Sequence, residues 1–295
     1  MHTPNLNQLF GEIEDGVKYF ELRAEPVRQE VLDGIFIEGW GYNGSIPGPT
    51  IIVNPGDEVC IKVYNELPEK TSIHWHGMDI PQKMDGAAQL QPSPTIEQGD
   101  FYEYRFKVVN PPGTHMYHTH LNTQVQQMMG LGGGFIIKDE NDEVDYDYFL
   151  LLQEFAVEDL EHMTLEKGTY KVDAHSHDFN FYTINGKCFP ATTPMKAEEG
   201  KDLRIRMGAL GHSLHPMHVH GHQFTIENQD GNPLPETMKM KRNSVSLSSG
   251  ETFEVKIHAN NPGSWPFHCH TPHHMANNHT EGHGGMMTSI EYIEK

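Results

Sequence analysis

The sequence predicts an all-β protein of two antiparallel β-sandwiches with Greek-key connections. Three observations predict it: the length, the period of the hydrophobic pattern and an internal repeat. A chain of 295 residues is long enough for about two domains at roughly 100–200 residues each. Its ordered stretches alternate, are rich in β-branched and aromatic residues, and are separated by Gly, Pro and Asn clusters at short intervals. The two halves also carry the same landmarks in the same order.

In chain order, the strand signals are EVCIKVYNEL (58–67), FYEYRFKVV (101–109), GGFIIKD (133–139), YFLLLQEF (148–155), DLRIRM (202–207), HQFTIEN (222–228) and ETFEVKIHA (251–259). Amphipathic helical windows are few, and Gln124–Met129 is the expected short helix. The acidic stretch Asp139–Asp147, DENDEVDYD, has no apolar periodicity long enough to be core. The boundary is expected there, giving domains 1–145 and 146–295.

The repeat is dense. Asn43-Gly44 recurs as Asn185-Gly186, each followed by a Pro-containing loop, and Gly56-Asp57-Glu58-Val59 recurs as Gly200-Lys201-Asp202-Leu203. His74-Trp75-His76 recurs as His218-Val219-His220. Pro112-Gly113 before His118-Thr119-His120 recurs as Pro262-Gly263 before His268-Cys269-His270. The offsets drift from 142 to 150 residues, as loop insertions between duplicated units produce.

Composition excludes several function classes. There are 21 Lys plus Arg against 41 Asp plus Glu, a formal charge of −20, which argues against a nucleic-acid partner because phosphate neutralisation needs a basic surface. Three cysteines are too few for a disulfide scaffold. Cys60 and Cys188 read as core residues, and a bridge between them would have to join different domains and is not expected. No apolar run approaches the roughly 20 residues of a membrane span. The amino terminus MHTPNLNQLFGEIEDG shows neither a basic n-region nor an apolar h-region, so no signal peptide is read in it.

Histidine numbers 21, and its placement is metal chemistry. His-x-His on a strand puts both imidazoles on one face, and such pairs stand at His74/His76, His118/His120, His218/His220 and His268/His270. Eight neutral imidazoles suit copper, iron, nickel or zinc rather than magnesium or calcium, which prefer oxygen ligands. Only the second half adds His215, Cys269 and His274. Two histidines and one thiolate with a weak axial sulfur form a blue-copper electron-transfer site. Subtracting the offsets puts Thr71, Thr119 and Gln124 in their places in the first half, so all three ligands are missing there as a unit.

On the motifs HWHG (74–77), YHTH (117–120), HPMHVHGHQF (215–224) and FHCHTPHH (267–274), the sequence resembles the multicopper oxidases, specifically their two-domain, laccase-like branch in the cupredoxin superfamily. The match covers nearly the whole chain. The resemblance implies two cupredoxin-like Greek-key domains and four coppers per subunit. A type 1 copper would sit on His215, Cys269 and His274. His74 and His218 would hold the type 2 copper, and His76, His118, His120, His220, His268 and His270 the type 3 pair. It also implies one-electron oxidation of a reducing substrate, phenolic or aromatic, coupled to four-electron reduction of dioxygen to water. The trinuclear cluster would lie between the subunits of a homotrimer. An exported protein, periplasmic or extracellular, is implied as well, with its leader absent from this chain.

Cys269 is covalently continuous with His268 and His270, which gives electrons a short through-bond route. Entry is expected through the edge of an exposed type 1 imidazole, His215 or His274. Asp85 matches the aspartate of the family pattern and is the candidate proton relay; it also reads as an Asp-Gly turn residue. Five residues after the type 1 histidine, where the family pattern has its axial methionine, stands His279. The segment 275–287 reads as an insertion, so the axial role goes to Met286, with Met275, Met287 and His279 as competitors. His273, Met275, His279, His283 and Met287 read either as a site for oxidising a metal ion such as Cu(I) or as an exposed loop with packed methionines. His115 and His212 are expected to support ligands by hydrogen bonds, and His175 and His177 to lie at the surface. The competing functions are a metallo-oxidase, a copper nitrite reductase, whose type 1 cysteine stands in its first domain, and a copper-binding or electron-transfer protein without turnover.

Overall fold

The computed structural model describes every residue except Gln89, Gln91, Glu140, Asn141, Glu143, Glu294 and Lys295. Four sheets form two face-to-face pairs. In the first pair, a five-stranded sheet runs Gln8–Leu9, Thr50–Val53, Gly132–Ile137, Gly113–Thr119, Ile73–His76. It faces a six-stranded sheet ordered Gly168–Lys171, Ile35–Tyr42, Val17–Leu32, Glu58–Asn65, Phe101–Lys107, with Glu12–Glu14 on the long strand. In the second pair, a seven-stranded sheet carries Phe181–Ile184, Tyr146–Phe155, Asp202–Ala209, Thr252–His258 and Phe224–Gln229 in order. Asn232–Pro233 and Met240–Arg242 both pair with Phe224–Gln229. Its partner runs Met195–Ala197, Met287–Tyr292, Ser264–Cys269, His215–Val219, Ser244–Leu247.

The alternation seen in the sequence packs each pair. Leu22, Val59, Ile61, Tyr104 and Phe106 meet Ile51, Ile73, Trp75, Tyr117 and Phe135 in the first core. Leu150, Ile205, Phe224 and Val255 meet Met217, Val245, Phe267 and Ile290 in the second. Trp75 is fully buried, with Tyr104 and Phe135 packed edge-on at 5.4 and 5.9 Å. Burying each such side chain contributes about 1.5–3 kcal/mol, so HWHG is anchored by the residue between its histidines.

The duplication extends to the turns. Asn43-Gly44 and Asn185-Gly186 all have positive φ, 51° and 76° against 51° and 73°, the geometry of a two-residue hairpin turn that Asn-Gly favours. Asn43 Oδ1 accepts the Arg23 N–H and Asn185 Oδ1 the Leu151 N–H, both at 2.7 Å.

Two features depart from the sequence expectation. The sheets are mixed rather than antiparallel: Val17–Leu32 runs parallel to Glu58–Asn65, and Tyr146–Phe155 runs parallel to Asp202–Ala209. Parallel neighbours need long crossovers, and both halves supply them. Gly168–Lys171, beyond the expected boundary, pairs in parallel with Ile35–Tyr42 of the first half. Within the acidic stretch 139–147, positions 140, 141 and 143 lie outside the described residues. Asp147 is not a solvated linker residue: it is buried and accepts two hydrogen bonds from Arg206, at 2.8 and 3.1 Å. Arg206 also donates to Glu254, which accepts from Thr114 of the first half at 2.7 Å. This network and an apolar cluster of Met116, Ile136, Phe149, Leu151 and Leu210 join the halves. Cys60, Cys188 and Cys269 are free and buried.

Candidate metal centre

Strand register assembles the histidines. Ile73–His76 pairs antiparallel with Gly113–Thr119, setting His74 opposite His118. In the second half His215–Val219 pairs with Ser264–Cys269, setting His218 opposite His268 and Met217 opposite Cys269. His120 and His270 follow at the strand ends. Ring centroids of His74 lie 5.7, 5.4 and 5.4 Å from those of His76, His118 and His120. Those of His218 lie 5.0, 5.7 and 5.5 Å from His220, His268 and His270.

In both halves backbone carbonyls fix the tautomers in the same way. His74 Nδ1 meets the Asp85 carbonyl at 2.9 Å and His218 Nδ1 the Asn243 carbonyl at 2.7 Å. His118 and His268 turn Nδ1 to the carbonyls of Thr119 and Cys269, each at 2.8 Å. Each Nδ1–H donates, so each Nε2 keeps its lone pair for a metal. These freed nitrogens converge: His118 Nε2 lies 3.2 Å from His76 Nδ1, and His268 Nε2 lies 3.0 Å from His220 Nε2. Burial lowers the His118 pKa to about 3, with the neighbouring imidazoles adding to the effect, so its ring is neutral across the physiological range. Asp85 stands at the turn after Gln82–Met84, its carboxylate 3.3 Å from His74 Nδ1. Gly86 follows with φ +87°, and a Cβ there would lie 1.7 Å from the Ile73 carbonyl oxygen. Asp85 is thus both a turn residue and a neighbour of the histidine.

Among the described residues, no ring contact joins one quartet to the other. The first quartet abuts second-half turns instead, where a Cβ on Gly250 would come 3.1 Å from His76. The second opens into a cavity of about 610 Å³ lined by His218, His220, His222, Lys241 and Lys256. Among the described residues the two quartets therefore stand apart.

His215, Cys269 and His274 form the third constellation. All are buried, with donor atoms within 4.8 Å of one another. Cys269 Sγ lies 3.3 Å and His215 Nδ1 3.2 Å from His274 Nδ1. Contrary to the sequence expectation, neither imidazole is exposed: His215 is 0% and His274 7% accessible. Tyr182 covers His274, its ring stacked at 4.1 Å. Backbone bonds bracket Met286, whose carbonyl accepts from Cys269 N–H and whose N–H donates to the His274 carbonyl. Met286 is fully buried in the same core as Cys269, whereas His279 turns away to stack on His162.

Sequence reasoning missed Glu154. Its carboxylate is buried and accepts from His215 Nε2 at 3.1 Å, from Ser213 N–H at 2.6 Å and from His212 N–H. Burial pushes the Glu154 carboxyl up, but the His215 hydrogen bond and charge outweigh it and the pKa is lowered. Burial likewise opposes a charged His215, yet its bonds to Cys269 and Glu154 raise its pKa to about 9. Burial brings His274 down to about 4. The available signal for Glu154 was a lone carboxylate at the end of the apolar run in YFLLLQEF. The His212 contribution comes from its backbone; its ring packs on His177 at 4.6 Å. His115 is wedged by its surroundings: Cβ atoms on Gly77 and Gly231 would lie 2.9 and 2.1 Å from its ring.

The first half shows what fills the equivalent place. Thr71 and Thr119 hydroxyls both donate to Gln126 Oε1 at 2.7 Å, and Gln126 Nε2 donates to Glu69 and the Lys70 carbonyl. Gln126, not Gln124, is the third member, because the short helix is Thr123–Gln126 and turns that side chain inward. A neutral hydrogen-bonded plug stands where the second half gathers imidazoles and a thiol. The donor set His, His, Cys with a buried thioether fits copper, as do quartets of imidazoles whose tautomers are already fixed.

Two family models described as multicopper oxidase match residues 25–142 and 155–287. A multicopper oxidase of Staphylococcus aureus is 31% identical over 254 residues, 82% of this chain and 54% of the relative. Among solved structures, the blue copper oxidase of Nitrosomonas europaea superposes with a TM-score of 0.82 at 31% identity, covering 94% of this chain and 86% of that one. The multicopper oxidase mgLAC does so at 0.81 and 30% over the same shares. The chain spans about half the length of the curated relatives it matches. With both halves matched and the donor sets in place, the chain belongs to the multicopper oxidases.

Proposed function

We propose that the protein is a laccase-like oxidase that takes single electrons from a reducing substrate and passes them to dioxygen, with residues 1–145 and 146–295 as its two cupredoxin domains. The observation that supports this most is the unit replacement of His215, Cys269 and His274 by the Thr71, Thr119 and Gln126 plug, beside two complete histidine quartets. Copper, when bound, supplies the one-electron chemistry and the reduction of oxygen to water, with about four ions per chain as the family pattern implies.

The chain's own residues do the rest. His215, Cys269 and His274 would hold the type 1 ion, with the buried Met286 as the thioether donor and Glu154 engaging His215 Nε2 so that Nδ1 is left for the ion. Cys269 then connects to the cluster ligands along the chain, and its carbonyl also accepts the His268 Nδ1–H at 2.8 Å. His74, His76, His118 and His120 meet the partner subunit's equivalents of the second quartet across a head-to-tail contact, which closes as a homotrimer. Asp85, its carboxylate 3.3 Å from His74 Nδ1, is the candidate relay for the protons that the reduction of oxygen consumes. Tyr182, itself buried and stacked on the shielded His274 at 4.1 Å, lies between that imidazole and the exterior as the group through which electrons would pass. No helix among the described residues is long and apolar enough to cross a membrane.

The copper-loaded protein should consume oxygen with hydroquinone and yield water. Release of hydrogen peroxide in stoichiometric amount, or no uptake with any donor, contradicts the reading. A metal ion as donor is the second reading, and the histidines around residue 279 favour it.

A further inference from the structure

Between His274 and Met286 the chain inserts residues 275–285, and the loop they form is closed by hydrogen bonds. The Met286 N–H donates to the His274 carbonyl and the Gly284 N–H to the Met275 carbonyl, each at 2.8 Å, so the two ends of the insertion lie side by side. Gly285 makes this approach possible: its φ is +58°, and a Cβ would stand 2.2 Å from the His274 carbonyl oxygen.

Asn277 stands at the junction. It is 4% accessible; its Nδ2 donates to the Phe189 carbonyl at 2.8 Å and its Oδ1 accepts the Gly285 N–H at 2.8 Å. The Phe189 N–H donates in turn to the Gly285 carbonyl at 2.9 Å, so Asn277, Phe189 and Gly285 close a ring of hydrogen bonds. A side-chain amide suits this place because it donates and accepts at once. The residue after Gly285 is Met286, whose carbonyl accepts the Cys269 N–H at 2.9 Å. Asn277 is thus joined through Gly285 and Met286 to the strand that carries the thiol. Its neighbour Asn278 is also buried, but its amide serves the outer loop, donating to the carbonyls of Glu161 and Thr164 at 2.8 and 2.9 Å.

We propose that Asn277 is a positioning residue of the type 1 centre: the hydrogen-bond ring fixes where the Met286 thioether stands against Cys269, and through it the reduction potential of the site. A thioether is the weak ligand of such a centre, and the potential follows its strength. An insertion of this length leaves the sulfur free to drift unless something besides chain connectivity holds it, and the buried amide is the group that does so. Loss of the ring lets the sulfur withdraw. A weaker donor stabilises Cu(II) less relative to Cu(I), so the potential rises. Asn277 thereby sets how strong a reductant a donor must be to be oxidised. The assignment rests on the type 1 reading above.

The test is a redox titration of the copper-loaded protein, followed at the blue band, for wild type, Asn277→Ala, Met286→Leu and the double variant. Asn277→Ala should raise the potential by at least the equivalent of a tenfold change in the one-electron equilibrium, about 59 mV, and shift the copper hyperfine coupling seen by EPR. Met286→Leu removes the thioether at nearly constant volume. On that background Asn277→Ala should change the equilibrium less than about twofold, because nothing remains to be positioned. Asn278→Ala should lower the thermal midpoint and leave the potential unchanged. If the alanine variant of Asn277 does not fold, Asn277→Ser gives the same comparison with a smaller rise. An unchanged or lowered potential in Asn277→Ala, a rise that persists undiminished without the thioether, or an equal rise in Asn278→Ala overturns the proposal. A blue wild type matched by Asn277→Ala refutes this assignment alone. A wild type that never turns blue refutes the type 1 reading beneath it.

Discussion

Cys269, His215 and Glu154 carry most of the chemistry at the scale of single residues. Cys269→Ser should abolish the intense blue absorption and substrate oxidation, because serine offers no thiolate to the ion; absorption and oxygen uptake report it. His215 makes a second prediction. With its pKa raised to about 9, the metal-free protein holds a proton on His215 at pH 7, and copper must displace it. Copper uptake at this site should therefore include release of the His215 proton at pH 7, read with an indicator in weak buffer on a protein whose other sites are filled. Because that proton competes, copper affinity rises with pH until His215 is deprotonated above about 9. Uptake that releases no proton at pH 7 would mean that Cys269 and Glu154 do not hold His215 charged.

At the scale of elements, the paired strands Ile73–His76 with Gly113–Thr119 set the histidine register, and the Asp85-Gly86 turn clamps it. Gly86→Ala should destabilise the fold by about 1–3 kcal/mol from backbone strain and more from the clash with Ile73. It should lower copper content at the first quartet while the blue band, built in the other half, persists; metal analysis and absorption separate the two. These elements also show what the sequence made legible. Strands with clean alternation, such as 58–65 and 252–258, were readable to within a residue or two, and so was every His-x-His pair, since period 2 alone puts both rings on one face. Val17–Leu32 was not readable, because Pro26 and its charged residues break the alternation on an outer sheet, although Asp33-Gly34 marks its hairpin. Gln124 was taken for Gln126 because an offset count does not register where a four-residue helix turns inward. Glu154 and Tyr182 escaped because nothing local to a carboxylate or a phenol names the distant histidine it touches.

At the scale of the molecule, the two separate quartets, read as halves of one cluster in the proposed oxidase, predict an assembly. Sedimentation should show a trimer. Dilution or interface substitutions that yield monomers should leave the blue centre intact while removing the histidine-rich cluster, since among the described residues no ring contact joins the quartets within a chain. A monomer with full oxygen reduction would contradict this. The buried Arg206 network resists separation of the halves themselves, because removing one partner of a buried ion pair costs about 3–5 kcal/mol; assembly therefore adds rigid units. The most direct measurement of the central claim is copper analysis of the purified protein with absorption and EPR spectra. The account predicts about four coppers per chain, an intense blue band, and only about half of the copper visible by EPR because two ions are coupled and silent. About two coppers per chain, all of them EPR-visible, would contradict it.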